Sequence, residues 1–198
     1  MNLPNSIEEL IKKFSSLPTV GPKTAERYVF YLLRKNQDFL EKFSDSLKNL
    51  RKDIKICSVC FSVSDENPCY ICNSSERETS KICLVANTRD AMTIESTKQY
   101  NGNYHILGGL IDTIENIGPE KLKIKELELR IKKGQIKEII IALDSTLEGE
   151  TTSMHLLKIL KKYNLKITRL AKGLPMGSNI EYADDQTISN ALNNRFEL

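Results

Sequence analysis

Cys57, Cys60, Cys69 and Cys72 stand as C-x2-C-x8-C-x2-C near one third of the way along a 198-residue chain. Two such close pairs can bring four thiolates to one tetrahedral ion. Disulfides are the competing use of these cysteines, and they persist in oxidising compartments. The opening run MNLPNSIEELIKKF, however, places charged residues where an export signal needs an apolar stretch. The spacing therefore predicts a structural zinc knuckle with four cysteine ligands. A four-thiolate shell is closed, so the metal would fold a loop and leave no position for water or substrate. The spacer FSVSDENP is polar and turn-rich, as a loop between two knuckles should be. The fifth cysteine, Cys83, lies in Ile-Cys-Leu-Val and reads as a small hydrophobe in a buried strand.

A closed metal site places function elsewhere, and charge is the next guide. The net charge is +3, but residues 1–55 carry eleven Lys/Arg against seven Asp/Glu while the rest of the chain is close to neutral. This modest basic bias is compatible with nucleic acid and equally with solvated helix faces. No apolar stretch approaches the ~20 residues needed to span a bilayer as a helix, and a cytoplasmic protein is expected.

Ser6 and Glu9 have the spacing of a capping box ahead of Ile7, Leu10, Ile11 and Phe14, which predicts an amphipathic helix over 6–15. Leu17-Pro-Thr-Val-Gly-Pro22 breaks it. Pro22 suits the first turn of a second helix running to about Lys35, and Phe39, Leu40, Phe43, Leu47 and Leu50 mark a third. Beyond the cysteines, short apolar runs at 82–85, 104–107, 139–143 and 167–170 alternate with amphipathic stretches, the pattern of a mostly parallel sheet covered by helices. The Gly-, Asn- and Pro-rich segment 108–120 reads as a loop.

Within Leu17-Pro-Thr-Val-Gly-Pro-Lys-Thr-Ala-Glu-Arg27 a glycine turn precedes a helix start, where unpaired amides and the helix dipole attract phosphate. Lys23 and Arg27 follow, four residues apart on one face, a spacing that suits two cationic contacts to the same backbone and equally an ordinary helical hairpin with solvated cations. The segment resembles the helix-hairpin-helix element of the bacterial RecR recombination-mediator family. The resemblance extends in order through the four cysteines, Ile82-Cys-Leu-Val85, Arg89-Asp90, Tyr104-His-Ile-Leu-Gly-Gly109, Ile117-Gly-Pro-Glu120, Glu148-Gly-Glu150, Arg169-Leu-Ala-Lys-Gly-Leu-Pro175 and Glu181-Tyr-Ala-Asp184. It implies an α+β multidomain chain: a helix-hairpin-helix DNA-binding domain at 1–53, a C4 zinc finger at 54–79, a Toprim domain at 80–175 and a C-terminal tail at 176–198 that contacts other subunits. It also implies a homo-oligomer, a dimer or ring-like tetramer, that binds DNA through Gly21, Lys23 and Arg27. Such an oligomer would act with RecO, and with RecF as a further partner, to load recombinase on gapped or single-stranded DNA.

Asp144, Glu148 and Glu150 follow the apolar run 139–143, and carboxylates at such a strand end suit magnesium. The plainer reading is a solvated loop that caps the next helix. Catalytic Toprim enzymes hold magnesium with a glutamate after the first strand and an Asp-x-Asp after a later one. Here the first strand runs into Ala86-Asn87, and Asp144 is followed by Ser145-Thr146. The expectation is a non-catalytic protein, with Asp144 and Glu148 as a weak magnesium site at most. The alternatives are a magnesium-dependent nuclease using Asp144, Glu148 and Glu150, and a zinc-stabilised adaptor that does not touch DNA. His105 and His155 read as structural. The glycines form neither GxGxxG nor a P-loop, and the tail strand has no terminal acid, so no nucleotide site is expected. Thr19 stands where the family's hairpin has glycine; a β-branched residue takes positive φ only with strain, which predicts a turn that approaches phosphate less closely.

Overall fold

The computed structural model describes residues 3–197 and divides into a helical unit ending at Ile54 and an α/β unit beginning at Lys55. In the first unit, α1 spans Asn5–Ser15, α2 Pro22–Leu32 and α3 Gln37–Asn49. The Ser6/Glu9 capping box does not form. The helix begins one residue earlier, so Ser6 is already inside the first turn, and the carbonyl of Pro4 accepts the amides of Ile7 and Glu8 at 2.9 and 3.2 Å. Helix α2 ends at Leu32, short of Lys35, and the chain leaves it through two tighter bonds, Arg34 N–H to Tyr31 O and Lys35 N–H to Leu32 O. Asn36 caps α3 by accepting the Phe39 amide at 2.9 Å. Helices α1 and α2 pack on each other with the Phe14 and Tyr28 rings edge to face at 5.8 Å. Among the described residues of this unit only Ala25 and Val29 are fully buried, and α3 buries nothing completely.

The α/β unit opens with a two-stranded antiparallel ribbon, β1 (Lys55–Ile56) and β2 (Val63–Ser64), followed by the one-turn helix α4 (Tyr70–Asn73). Strands β3 (Glu78–Val85), β4 (Gly102–Ile106), β5 (Glu138–Ile141) and β6 (Lys166–Arg169) form one sheet in the order β4-β3-β5-β6, every pair parallel. Each apolar run of the sequence becomes a strand. Helix α5 (Thr88–Ser96) crosses from β3 to β4, α6 (Ile124–Lys133) leads into β5, and α7 (Leu147–Leu160) crosses to β6.

Strand β3 shows why a central run is apolar at successive positions. Ile82 and Leu84 point into one layer with Leu107, Leu127, Ile139, Leu156 and Leu160, while Cys83 and Val85 point into the other with Ala91, Tyr104 and Ile106. A strand covered on both faces has no side for polar residues. Burial pushes the Cys83 thiol up to about 12, consistent with its reading as a hydrophobe.

Strand β4 is buried at every position. Arg130 donates to the Tyr104 carbonyl at 2.6 Å, the Tyr100 hydroxyl donates to the Asn103 carbonyl at 3.0 Å, and the Ile106 amide donates to the Cys60 carbonyl at 2.8 Å. The segment after β4 is ordered by an Asp112–Ile117 bridge and by Ile111 N–H donating to Thr152 Oγ1 at 2.8 Å. A 3-10 turn, Pro119–Lys121, leads into α6. The chain closes with a 3-10 turn at Ile180–Tyr182 and α8 (Asp185–Asn193), whose N-terminus Asp184 caps. Helix α8 has no fully buried residue, and Met176, Tyr182 and Phe196 are exposed. No helix among the described residues is long and apolar enough to cross a membrane.

Candidate metal centre and nucleic-acid interface

The ribbon β1–β2 and the turn α4 bring both cysteine pairs together, and the four Sγ atoms lie within 4.8 Å of one another. Cys60 and Cys69 Sγ are 3.6 Å apart, close to the ~3.8 Å edge of a tetrahedron with zinc–sulfur bonds of ~2.3 Å. The amides of Val59 and Cys69 point at Cys57 Sγ from 3.5 and 3.4 Å, and donation of this kind steadies a ligating thiolate. Hydrogen bonding within the cluster, chiefly from Cys72, lowers the Cys60 thiol, while burial raises that of Cys69. The donor set, spacing and amides fit zinc, and the site is a structural zinc centre.

Phe61, directly after Cys60, adopts φ 65°, an unusual conformation for a bulky residue. Its ring meets His105 edge to face at 5.4 Å and lies under Lys123. Together with the Cys60–Ile106 hydrogen bond, this ties the knuckle to the C-terminal end of β4. The sequence reading missed Phe61, because nothing in its local sequence marks a left-handed residue. His105 is fully buried. Its Nε2–H donates to the Lys123 carbonyl at 2.8 Å, and desolvation holds its pKa down at about 4, so the ring is neutral and structural as expected. A second cluster also went unseen: Arg77 pairs with Glu95, which accepts the Tyr104 hydroxyl at 3.0 Å. Its members lie far apart in sequence and meet only through the sheet.

In the helical unit, Val20 N–H donates to Leu17 O at 3.2 Å and closes a turn with Pro18 and Thr19 at its centre. Thr19 takes φ 65°. The turn therefore keeps the shape that glycine would give it, with the strain left in Thr19, and the expected departure from the phosphate does not follow from its backbone. Gly21 is the N-cap of α2 at φ −78°, an extended conformation open to any residue, so the expected tight glycine turn lies two residues earlier. A Cβ at Gly21 would meet nothing within 4 Å, so the helix start is open in front of it. Lys23 and Arg27 are both exposed one turn apart on α2, and neither forms an ion pair among the described residues. The first-turn amides, an uncovered approach and two unpaired cations are what a phosphate requires.

The carboxylates after β5 are arranged differently. Thr146 caps α7 by accepting the Gly149 amide at 3.2 Å, as the plainer reading held. Asp144 is exposed and Glu148 half-buried. Glu150 is engaged by Arg169 at 2.6 Å and by Lys172, which together hold its carboxyl below the usual range. At the end of β3, Asn87 and Asp90 are spent on a reciprocal capping box for α5. Among the described residues, no group of three carboxylate, imidazole or thiol ligands converges apart from the cysteines. Gly149 was also missed: a Cβ there would lie 2.0 Å from the Asp144 carbonyl, so only glycine lets α7 start against this loop.

Four family models match the chain in order. They are a RecR helix-hairpin-helix model over residues 7–51, a RecR four-cysteine zinc finger model over 54–74, a Toprim domain model over 80–171 and a RecR C-terminal model over 173–195.

Proposed function

The chain belongs to the RecR family, whose domains have a role in recombination and repair, and from this premise we propose that it is a non-catalytic DNA-binding mediator. It works in the cytoplasm as a homo-oligomer with RecO, and with RecF as a further partner, to load recombinase on gapped or single-stranded DNA. The observation that carries the DNA-binding reading is the unpaired, exposed Lys23/Arg27 face beside the open start of α2. Phosphate contacts of this kind position a backbone without reading its sequence, as a loader acting at arbitrary gaps requires. Each chain contributes few cations, so linked copies supply affinity that one copy lacks. The apolar residues left exposed on the helical unit and the tail support assembly.

A nuclease reading has less support. Glu150 is neutralised by Arg169 and Lys172, and the strand end where a catalytic glutamate would stand is used for capping. Asp144 and Glu148 are the residues that would hold magnesium, loosely and mainly through water; no step of the proposed function depends on it. Zinc supplies rigidity alone.

The test is DNA affinity against salt for the wild type and a Lys23→Ala/Arg27→Ala variant. Loss of two phosphate contacts should flatten the log–log slope by about 1.5–2. Equal slopes would remove DNA from the hairpin, and absence of DNA binding by the wild type at low salt would favour the adaptor.

A further inference from the structure

Residues 56–198 carry one more acid than base, yet their cations are unevenly placed. The topology gathers lysines where the parallel strands begin, the side of the sheet opposite Asp144. The register sets Lys81 on β3 beside Glu138 on β5, and Glu138 beside Lys166 on β6. Lys137 enters this row through its amide, which donates to Ser80 O at 2.8 Å. Helix α6 delivers Lys132 and Lys133 to the same side at its C-terminus, and α7 delivers Lys161 and Lys162. Tyr163 O–H donates to Glu128 at 3.0 Å and Lys162 pairs with the same carboxylate, fastening the two helix ends to each other.

Three acids on this side are already engaged: Glu78 by Lys81, Glu128 by Lys162 and Glu138 by Lys166. Lys132, Lys133, Lys137 and Lys161 are exposed and form no ion pair among the described residues. Compensation of helix dipoles accounts for lysines at the ends of α6 and α7. It does not account for Lys137, which stands just before β5 and forms no ion pair among the described residues. Strands ~4.8 Å apart put the β3–β6 row at ~10 Å across, and duplex DNA presents a charge every ~1.7 Å of axis, so the face meets several phosphates at once. The cations are lysine point charges on an exposed face, which suits a repeating polyanion better than a single bound anion.

We infer that this lysine face, formed where the strands of the α/β unit begin, is a second, sequence-independent contact for the DNA backbone, separate from Lys23 and Arg27. The inference rests on the DNA-binding reading above and adds a surface to it. Salt sensitivity then exceeds what the hairpins alone supply.

The experiment uses the full zinc-loaded chain and fluorescently labelled duplex, with anisotropy titrations at several salt concentrations. A Lys132→Gln/Lys133→Gln/Lys161→Gln variant should flatten the log–log slope by about 2–3, since each lost duplex contact removes about 0.9. The Lys→Arg triple at the same positions keeps the charge and should keep the slope, which separates charge from any damage to the helix ends. A Lys23→Ala/Arg27→Ala variant run alongside distinguishes the two readings. If it flattens the slope while the glutamine triple matches wild type, the lysine face is not a DNA contact and the hairpin assignment stands. If the glutamine triple flattens the slope and the hairpin variant does not, the lysine face stands and the hairpin assignment falls. A flattened slope in the arginine triple equal to that in the glutamine triple would overturn the inference, because charge would not be the cause.

Discussion

In the helical unit only Ala25 and Val29 are fully shielded among the described residues, while Tyr28, Tyr31, Leu33, Leu47 and Leu50 remain at the surface. The α/β unit instead fills a layer on each face of its sheet and adds a metal knuckle fastened to β4. A segment of some fifty residues has little apolar area to bury by itself. The first unit leaves much of its apolar area exposed, with one short helix seam and a side-chain cap on α3. The second is anchored by residues far apart in sequence. The part presenting the Lys23/Arg27 face is thus the less self-sufficient of the two, with apolar side chains left at its surface.

The sharpest attack on this comparison is removal of zinc. Cys57→Ser or a strong chelator should cost more than any single core truncation, since metal binding of this kind contributes folding free energy on the order of 10 kcal/mol in small domains. A metal-free protein with an unchanged melting temperature would break the claim. Next, Leu84→Ala should lose about 2–5 kcal/mol in denaturant titrations, whereas Leu47→Ala, at a site 60% exposed, should stay within about 0.5 kcal/mol. Similar losses would mean that the helical unit is packed as tightly as the sheet.

Acid adds a third contrast. His105 titrates near 4 when folded and near 6.5 when unfolded, so between those values the unfolded chain binds more protons. Its contribution is complete above pH 6.5 and is lost as pH falls toward 4, to the extent of about 2–3 kcal/mol. Glu95, held low chiefly by its hydrogen bond from Arg77, contributes above its unfolded value and adds a loss only below about pH 4.3. Stability measured against pH should decline across 6.5–4.5 in the wild type and be flatter in His105→Gln. One change should give a small gain: Thr19→Gly should relieve the left-handed strain and raise stability by about 1 kcal/mol, seen as a small rise in the unfolding midpoint.

The sheet was legible because a strand covered on both faces is mostly apolar, as β3 and β5 show, while the edge strand β6, with Thr168 and Arg169, carried a weaker signal. The zinc ligands were legible because their spacing is itself the site. Helix starts were read less well. The amides of α1 turn to the carbonyl of Pro4, a backbone acceptor that side-chain identity does not reveal. Gly21 looked like the tight turn, but the positive φ belongs to Thr19. The engagement of Glu150 by Arg169 spans nineteen residues and depends on β6 lying beside β5, so no local pattern announces it.

The hydrogen bonds along β4 have a consequence for how the chain behaves among other chains. As the terminal strand of its sheet, β4 could accept a neighbour's strand and seed edge-to-edge aggregation. Arg130 occupies the outward carbonyl of Tyr104, and the Cys60 carbonyl occupies the Ile106 amide. The metal knuckle thus closes one end of an edge that would otherwise be open, and a protein stripped of zinc is exposed to self-association as well as to unfolding.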